Sequence, residues 1–323
     1  MKDRDLENAI MGHAYVFPGQ GSQTPGMGKE LADAFSAARE VFEEVDDALG
    51  RSLSKLMWSD DVDAINLTIN AQPALMAHSI AAFRVLEKEA NTEVAKASFV
   101  AGHSLGEYSA LCAAGALSIA DTAKMLHARG KAMQAATPAG QGGMAALLGI
   151  TIEAAEAAIK ATPGEGILEV ANDNAPGQVV VSGDLDRIKS LVESARSHKI
   201  KMVKILPVSA AFHSSMMAPA ADAMRPILEE ASFSPFEVPV VDNVTARPTS
   251  RPEEIRTLLV DQITERVRWT DSVSYMVEQG VSRFFEIGTG KILSGLIRRI
   301  AKETETVNFG VPDDIDAFIK TYA

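Results

Sequence analysis

Ser98-Phe99-Val100-Ala101-Gly102-His103-Ser104-Leu105-Gly106-Glu107-Tyr108 joins a short apolar run to a glycine-flanked serine and then to a helical pattern. The run Phe99-Val100-Ala101 reads as a buried strand, and a helix is expected to start near Glu107. A serine between the two sits on a tight strand-to-helix turn, with Gly102 and Gly106 leaving room for strained backbone. The helix behind it aims its first N–H groups at the point where negative charge would develop. Such a turn either mounts a nucleophile or is a glycine-rich loop with a solvated serine.

The same grammar recurs on both sides of this stretch. Residues 14–17, 98–101, 238–241 and 284–287 are short apolar runs, with helical patterns such as 31–49 and 72–89 between them. This alternation predicts an α/β domain with a largely parallel sheet. Residues 140–207 read differently. A strand over 143–150 is followed by a helix to about 161, capped by Thr151. Strands at 168–172 and 178–182 flank the turn residues Asn174, Ala175, Pro176 and Gly177. A helix capped by Asp184 runs to about 198, and a last strand covers 201–206. This β-α-β-β-α-β order is ferredoxin-like. The expected organisation is a larger catalytic domain, residues 1–139 and 208–323, with a small ferredoxin-like domain, 140–207, inserted between Ser104 and His213. A cleft between the two would hold the chemistry.

Composition narrows the function classes. The 323-residue chain is 46% hydrophobic and carries a formal net charge of −12, which argues against nucleic-acid partners, since phosphate binding needs concentrated Lys and Arg. A single cysteine, Cys112, excludes an intramolecular disulfide and a cysteine-rich metal site. No apolar run approaches the roughly 18 residues of a membrane span. Residues 1–12 mix charges without a signal-peptide core and read as a frayed extension. A soluble, cytoplasmic protein is expected, without a membrane partner. No HExxH or Cys/His cluster points to a metal.

A serine nucleophile needs a base, and the chain offers six histidines. His13 lies near the poorly patterned N-terminus, and His78, His127 and His198 lie inside helical patterns. His103 adjoins the serine and is expected to point away from it. His213 lies in the polar loop 209–215 directly after a strand, where sites form in α/β sheets. It is the favoured base. Arg129 shares a helix face with Met125 and Met133. A guanidinium in an apolar stripe requires an anion. A structural Asp or Glu and a substrate carboxylate are equally good partners on these grounds.

Phe17-Pro18-Gly19-Gln20-Gly21-Ser22-Gln23, Gln72-Pro73-Ala74, Gly102-His103-Ser104-Leu105-Gly106-Glu107-Tyr108, Arg129-Gly130 and Phe212-His213-Ser214 together resemble the successive motifs of malonyl-CoA:acyl carrier protein transacylases. The likeness runs from about residue 14 to about 303. It implies an α/β-hydrolase-like large domain with a ferredoxin-like insertion. It also implies ping-pong transfer of malonyl from malonyl-CoA to Ser104, then to the phosphopantetheine thiol of an acyl carrier protein. His213 would be the base, with the backbone N–H groups of Gln20 and Leu105 as oxyanion hole. Arg129 would hold the malonyl carboxylate, and a main-chain carbonyl at Gln262 would orient His213. Asn174 corresponds to a position facing the cleft, and Phe212 to a bulky residue that crowds out a 2-methyl branch. The Ala210-Ala211 portion departs from the commonest form of that loop. Neither a metal nor a tightly held cofactor is implied.

The alternative is a serine thioesterase or hydrolase, which would use the same turn and histidine; Arg129 and the Gln20 loop weigh against it. An inactive scaffold is a third reading, against which stand Ser104, Arg129 and His213 together. Because the chain is acidic, docking of an acidic carrier requires a local basic patch. Arg298 and Arg299, near Lys291 and Lys302, are the favoured candidates. Lys189, Arg196, Lys199 and Lys201 are the second. Acylation is expected to fall as pH drops through a value near about 6.5, shifted by the site, as the imidazole charges.

Overall fold

The computed structural model describes residues 12–138, 140–208 and 210–322. The extension expected over residues 1–12 lies outside these, except Gly12, which opens strand β1. In chain order the strands are β1 (Gly12–Phe17), β2 (Phe99–Gly102), β3 (Gly142–Leu148), β4 (Leu168–Ala175), β5 (Gln178–Asp184), β6 (Met202–Ile205), β7 (Val240–Val241), β8 (Pro248–Thr249), β9 (Val281–Ile287) and β10 (Glu305–Phe309). The longer helices are α1 (Ser36–Leu49), α2 (Thr68–Ala90), α3 (Leu105–Ala113), α4 (Ile119–Ala136), α5 (Ile152–Ala161), α6 (Leu185–Ser194), α7 (Ala218–Glu230), α8 (Pro252–Asp261), α9 (Trp269–Glu278), α10 (Ile292–Ile300) and α11 (Pro312–Tyr322).

Six strands form one sheet in the order β10-β9-β1-β2-β7-β8. All neighbours are parallel except the β7–β8 pair at one edge. Strand alternation splits its side chains between two faces. Tyr15 and Phe17 join the larger core beneath α1, α2 and α4, whereas Ala14 and Val16 pack with Trp269 of α9 and Leu293 of α10 on the other face. With both faces covered, the strands are apolar runs, as the sequence predicts. The helix expected over 31–49 is instead two helices, Lys29–Ala34 and α1. They break at Phe35, whose backbone is extended and whose ring packs on the core.

The second sheet, with order β4-β5-β3-β6, is antiparallel throughout. One face carries Ala145, Leu147, Val179 and Val181 against Ile188 and Leu191 of α6. The opposite face sends Met144, Ala146 and Val180 into the larger core. Thr151 caps α5 through the Ala154 N–H (3.3 Å), as expected. Two expectations require correction. Asn174 and Ala175 belong to β4, so the turn is only Pro176-Gly177, where Gly177 has φ +78°. Asp184 makes no side-chain cap; its carboxylate takes the N–H of Ile167, just before β4, and α6 ends at Ser194. The sheets are tied where Val267 exchanges backbone hydrogen bonds with Ala171 and Asp173 of β4 (2.8 and 3.0 Å). A second tie runs from Arg299 of α10 to the Pro176 carbonyl and the Gln178 side chain (2.9 and 2.6 Å).

Candidate active site

Strands β1, β2 and β7 end on the same side of the parallel sheet, and the loops that leave them bring Gln20, Ser104 and Asn243 to the site, which other elements complete. Ser104 follows β2 with φ +53° and ψ −112°, a conformation that side-chain-bearing residues rarely adopt. The turn is so tight that a Cβ on Gly102 would lie 1.9 Å from the Gly106 carbonyl, and one on Gly106 would lie 2.2 Å from the Phe17 carbonyl oxygen. Both positions therefore require glycine. Asn243, just past β7, secures the turn: its Oδ1 accepts the Ser104 N–H (2.7 Å) and its Nδ2 donates to the Gly102 carbonyl (2.7 Å).

His213 reaches Ser104 from the loop after β6, with Nε2 2.8 Å from Oγ. Its Nδ1 lies 2.8 Å from the Gln262 carbonyl and 3.2 Å from the Glu265 carbonyl. Carbonyls only accept, so the ring proton belongs on Nδ1 and Nε2 presents its lone pair to the serine hydroxyl. Burial, with the nearby Arg129 charge, lowers the His213 pKa to about 3. The site thus shifts the expected loss of base well below the ordinary imidazole value. His103 instead turns Nε2 to Asn174 Oδ1 (2.8 Å) and packs on the Trp269 ring.

Arg129 is 1% exposed and meets no carboxylate among the described residues. Among the described residues it forms no salt bridge; its acceptors are Gln72 Oε1 (2.9 Å), Gln262 Oε1 (2.8 Å) and Ser104 Oγ (3.1 Å). Its Nε–H is buried without a partner. Of the two partners the sequence left open, a structural ion pair is not found among the described residues, and the guanidinium lies against the serine, 5.6 Å from the centroid of the Tyr108 ring. A cavity of about 380 Å³ opens here, with Gln20, Gln72, Ser104, Arg129 and His213 among its polar lining and Met133, Met144, Leu206 and Phe212 among its apolar lining. The N–H groups of Gln20 and Leu105 have no acceptor among the described residues. His213 also borders a second cleft of about 810 Å³, which Glu169, Arg266 and Arg268 line.

Asn174 requires correction. It does not line the cavity, being turned to His103; the β4 residue that does is Asn172, two positions earlier in the strand. Sequence reasoning also missed a buried polar network behind the serine. Gln262 contributes its side chain as well as its carbonyl: Nε2 donates to Ser104 O (3.1 Å) and Glu107 Oε2 (2.8 Å) while Oε1 serves Arg129. Glu107 also accepts the Asn243 N–H (3.0 Å), and burial pushes its pKa up to about 8. Gln72 and Glu107 stood in quoted motifs without an assigned role. Asn243 had one signal, its place just past an apolar strand.

The described residues contain no group of three or more His, Cys, Asp or Glu arranged to hold a metal. No helix among them is long and apolar enough to cross a membrane.

A family model described as acyl transferase domain matches residues 14–288. The malonyl CoA-acyl carrier protein transacylase of Bacillus subtilis strain 168 is 41% identical over 309 residues, spanning 95% of this chain and 96% of that protein. Among solved structures, the acyl-carrier-protein-S-malonyltransferase from Bartonella henselae superposes with a TM-score of 0.93 at 48% identity, covering 96% of this chain and 99% of that one. A malonyl-transacylase solved in complex with its type II polyketide acyl-carrier protein superposes at 0.92 with 36% identity, covering 96% and 99%. On its motifs, its fold and these likenesses, the chain belongs to the acyl transferase family and, within it, to the malonyl-CoA:acyl carrier protein transacylases.

Proposed function

We propose that this protein moves a malonyl group from malonyl-CoA to the phosphopantetheine thiol of an acyl carrier protein, through an ester on Ser104. The observation that carries the reading is one cavity holding a serine hydroxyl, a neutral imidazole and a guanidinium with no carboxylate partner among the described residues. Ser104 Oγ attacks the thioester carbonyl while its proton passes to His213 Nε2. The oxyanion is received by the Gln20 and Leu105 N–H groups. The C–S bond breaks, His213 returns the proton to the coenzyme A thiolate, and malonyl-serine remains. In the second half the carrier thiol gives its proton to His213, attacks the ester, and Ser104 is reprotonated. The Gln262 carbonyl keeps the Nδ1–H in place throughout. Arg129 pairs with the free malonyl carboxylate, and Phe212 limits room for a branch at C2.

The architecture is read as an α/β-hydrolase-like domain, residues 1–139 and 208–323, with a ferredoxin-like insertion over 140–207. The β-α-β-β-α-β order and the β4-β5-β3-β6 sheet support that division. Proton transfer and acyl exchange need only these side chains, so the reading calls for no metal or bound cofactor, and it places the protein in the cytoplasm. Arg298 and Arg299 are kept as the carrier-docking candidates; Arg298 donates to Thr306 Oγ1 (2.8 Å), and Arg299 bridges α10 and the β4–β5 turn. Intact mass after mixing with malonyl-CoA tests the reading. A malonyl adduct on Ser104 that a pantetheine thiol discharges faster than water does is the expected result. Discharge to water alone would make the protein a thioesterase.

A further inference from the structure

The proposed reaction leaves one buried acid unused. Glu107 lies on α3, three residues past the nucleophile, and is 2% exposed. Its Oε2 accepts two N–H bonds, from the Asn243 backbone and from Gln262 Nε2. The Gln262 amide is wholly buried, and its two ends face different chemistry. One end meets the Ser104 carbonyl, Glu107 Oε2 and Asn243 Oδ1 (3.1, 2.8 and 3.3 Å), of which the carbonyl can only accept. That end must be the NH2. The oxygen is then directed at Arg129 Nη2, the same nitrogen that reaches Ser104 Oγ. Glu107 thus acts on the guanidinium through one side chain and on the serine turn through Asn243.

Resting on the functional reading above, we infer that Glu107 is an uncharged positioning residue of the acyl site: it sets the Gln262 amide that holds Arg129, and by staying neutral it leaves the Arg129 charge to the substrate carboxylate. An ionised Glu107 would offset the guanidinium charge across the Gln262 amide and so compete with malonyl, because charges interact strongly in so dry a setting. The titratable groups facing Glu107 are few. Asp242, from the loop after β7, is 2% exposed and opposes a second negative charge beside it. Its oxygens are already engaged by the Val244 and Thr245 N–H groups (2.8 and 2.7 Å). Arg129 of α4 acts in the opposite sense, and Tyr108 is the next residue on α3. The Gln262 and Asn243 N–H donors also favour the carboxylate; burial and Asp242 outweigh them and Arg129, pushing the acid up to about 8.

The coupling is reciprocal: if bound malonyl raises the Glu107 pKa by about one unit, ionised Glu107 weakens malonyl binding about tenfold. The test is KM and kcat for malonyl-CoA and acetyl-CoA from about pH 6 to about pH 9.5, in the wild type and in Glu107→Gln. The amide oxygen introduced by this substitution accepts the same two N–H bonds, and the side chain cannot ionise. In the wild type the malonyl KM should rise on the order of tenfold above about pH 8, with acetyl KM flat. In E107Q the malonyl rise should vanish. A flat wild-type malonyl KM, an equal rise for acetyl-CoA, or a rise that persists in E107Q would each overturn the inference. If E107Q fails to fold, the two wild-type profiles decide alone. Failure of malonyl to label Ser104 at any pH would instead overturn the functional reading, and this inference with it.

Discussion

The two sheets of this protein are built in opposite ways. Around the carboxyl ends of the parallel sheet, Ser104 and His213 both hold positive φ, and Arg129, Glu107, Gln72, Gln262 and Asn243 are buried together. Every one of these polar groups depends on a partner distant in the chain. The antiparallel sheet has an apolar core of Ala, Val, Leu and Ile, one capped helix and a two-residue turn. It presents Met144 and Asn172 to the cavity as wall. Strain and buried charge concentrate at the proposed site, and regular structure supplies the enclosure.

The contrast is tested hardest by removing groups from the strained side. Ser104→Ala should lower transfer by about 10⁴-fold or more and abolish the malonyl adduct in intact mass. A variant that still formed the adduct would move the nucleophile elsewhere. His213→Ala should slow acylation by about 10²–10⁴-fold, read by single-turnover kinetics. Because burial lowers the His213 pKa to about 3, acylation at saturating malonyl-CoA should be level from about pH 5 to about pH 8. A fall centred near pH 6.5 would mean that the imidazole is not buried as described. The same shift has a stability consequence. The unfolded chain binds the proton first, so His213 favours the native state above about pH 6.5 and loses that contribution as pH falls toward about 3.

Arg129→Ala should cost about 2–5 kcal/mol in kcat/KM for malonyl-CoA and much less for acetyl-CoA, which has no carboxylate to lose. Equal losses would assign the guanidinium to Ser104 Oγ and the amide network alone. Smaller effects belong to the periphery. Arg298→Glu should raise the carrier protein's KM several-fold while leaving acylation by malonyl-CoA unchanged. If a combined reversal of Lys189, Arg196, Lys199 and Lys201 raised it instead, docking would belong to the antiparallel sheet. The smallest effect comes from that regular region. Thr151→Ala removes a helix cap that is not part of the cavity lining and should cost about 1 kcal/mol of stability in thermal unfolding, with kcat unchanged.

The strand–turn–helix around Ser104, the parallel core strands and the β-α-β-β-α-β order of the small sheet were all legible in the sequence. They rest on signals within a few residues: apolar runs, glycines that a tight turn demands, and a capping threonine. His213 and Arg129 stood out for the same reason, because a loop histidine after a strand and an arginine in an apolar stripe are anomalies visible locally. Strand β10 was not foreseen, since its residues 305–308 are at most half-buried and form no apolar run. Long-range packing alone chose amides and a serine, rather than a carboxylate, as the partners of Arg129, and put Asn172 instead of Asn174 in the cavity wall. The same holds for Glu107 and Asn243, which meet across 136 residues of chain. A hydrogen bond of that span leaves no periodicity behind; the partner of a buried polar group is chosen by which strand ends the sheet brings side by side.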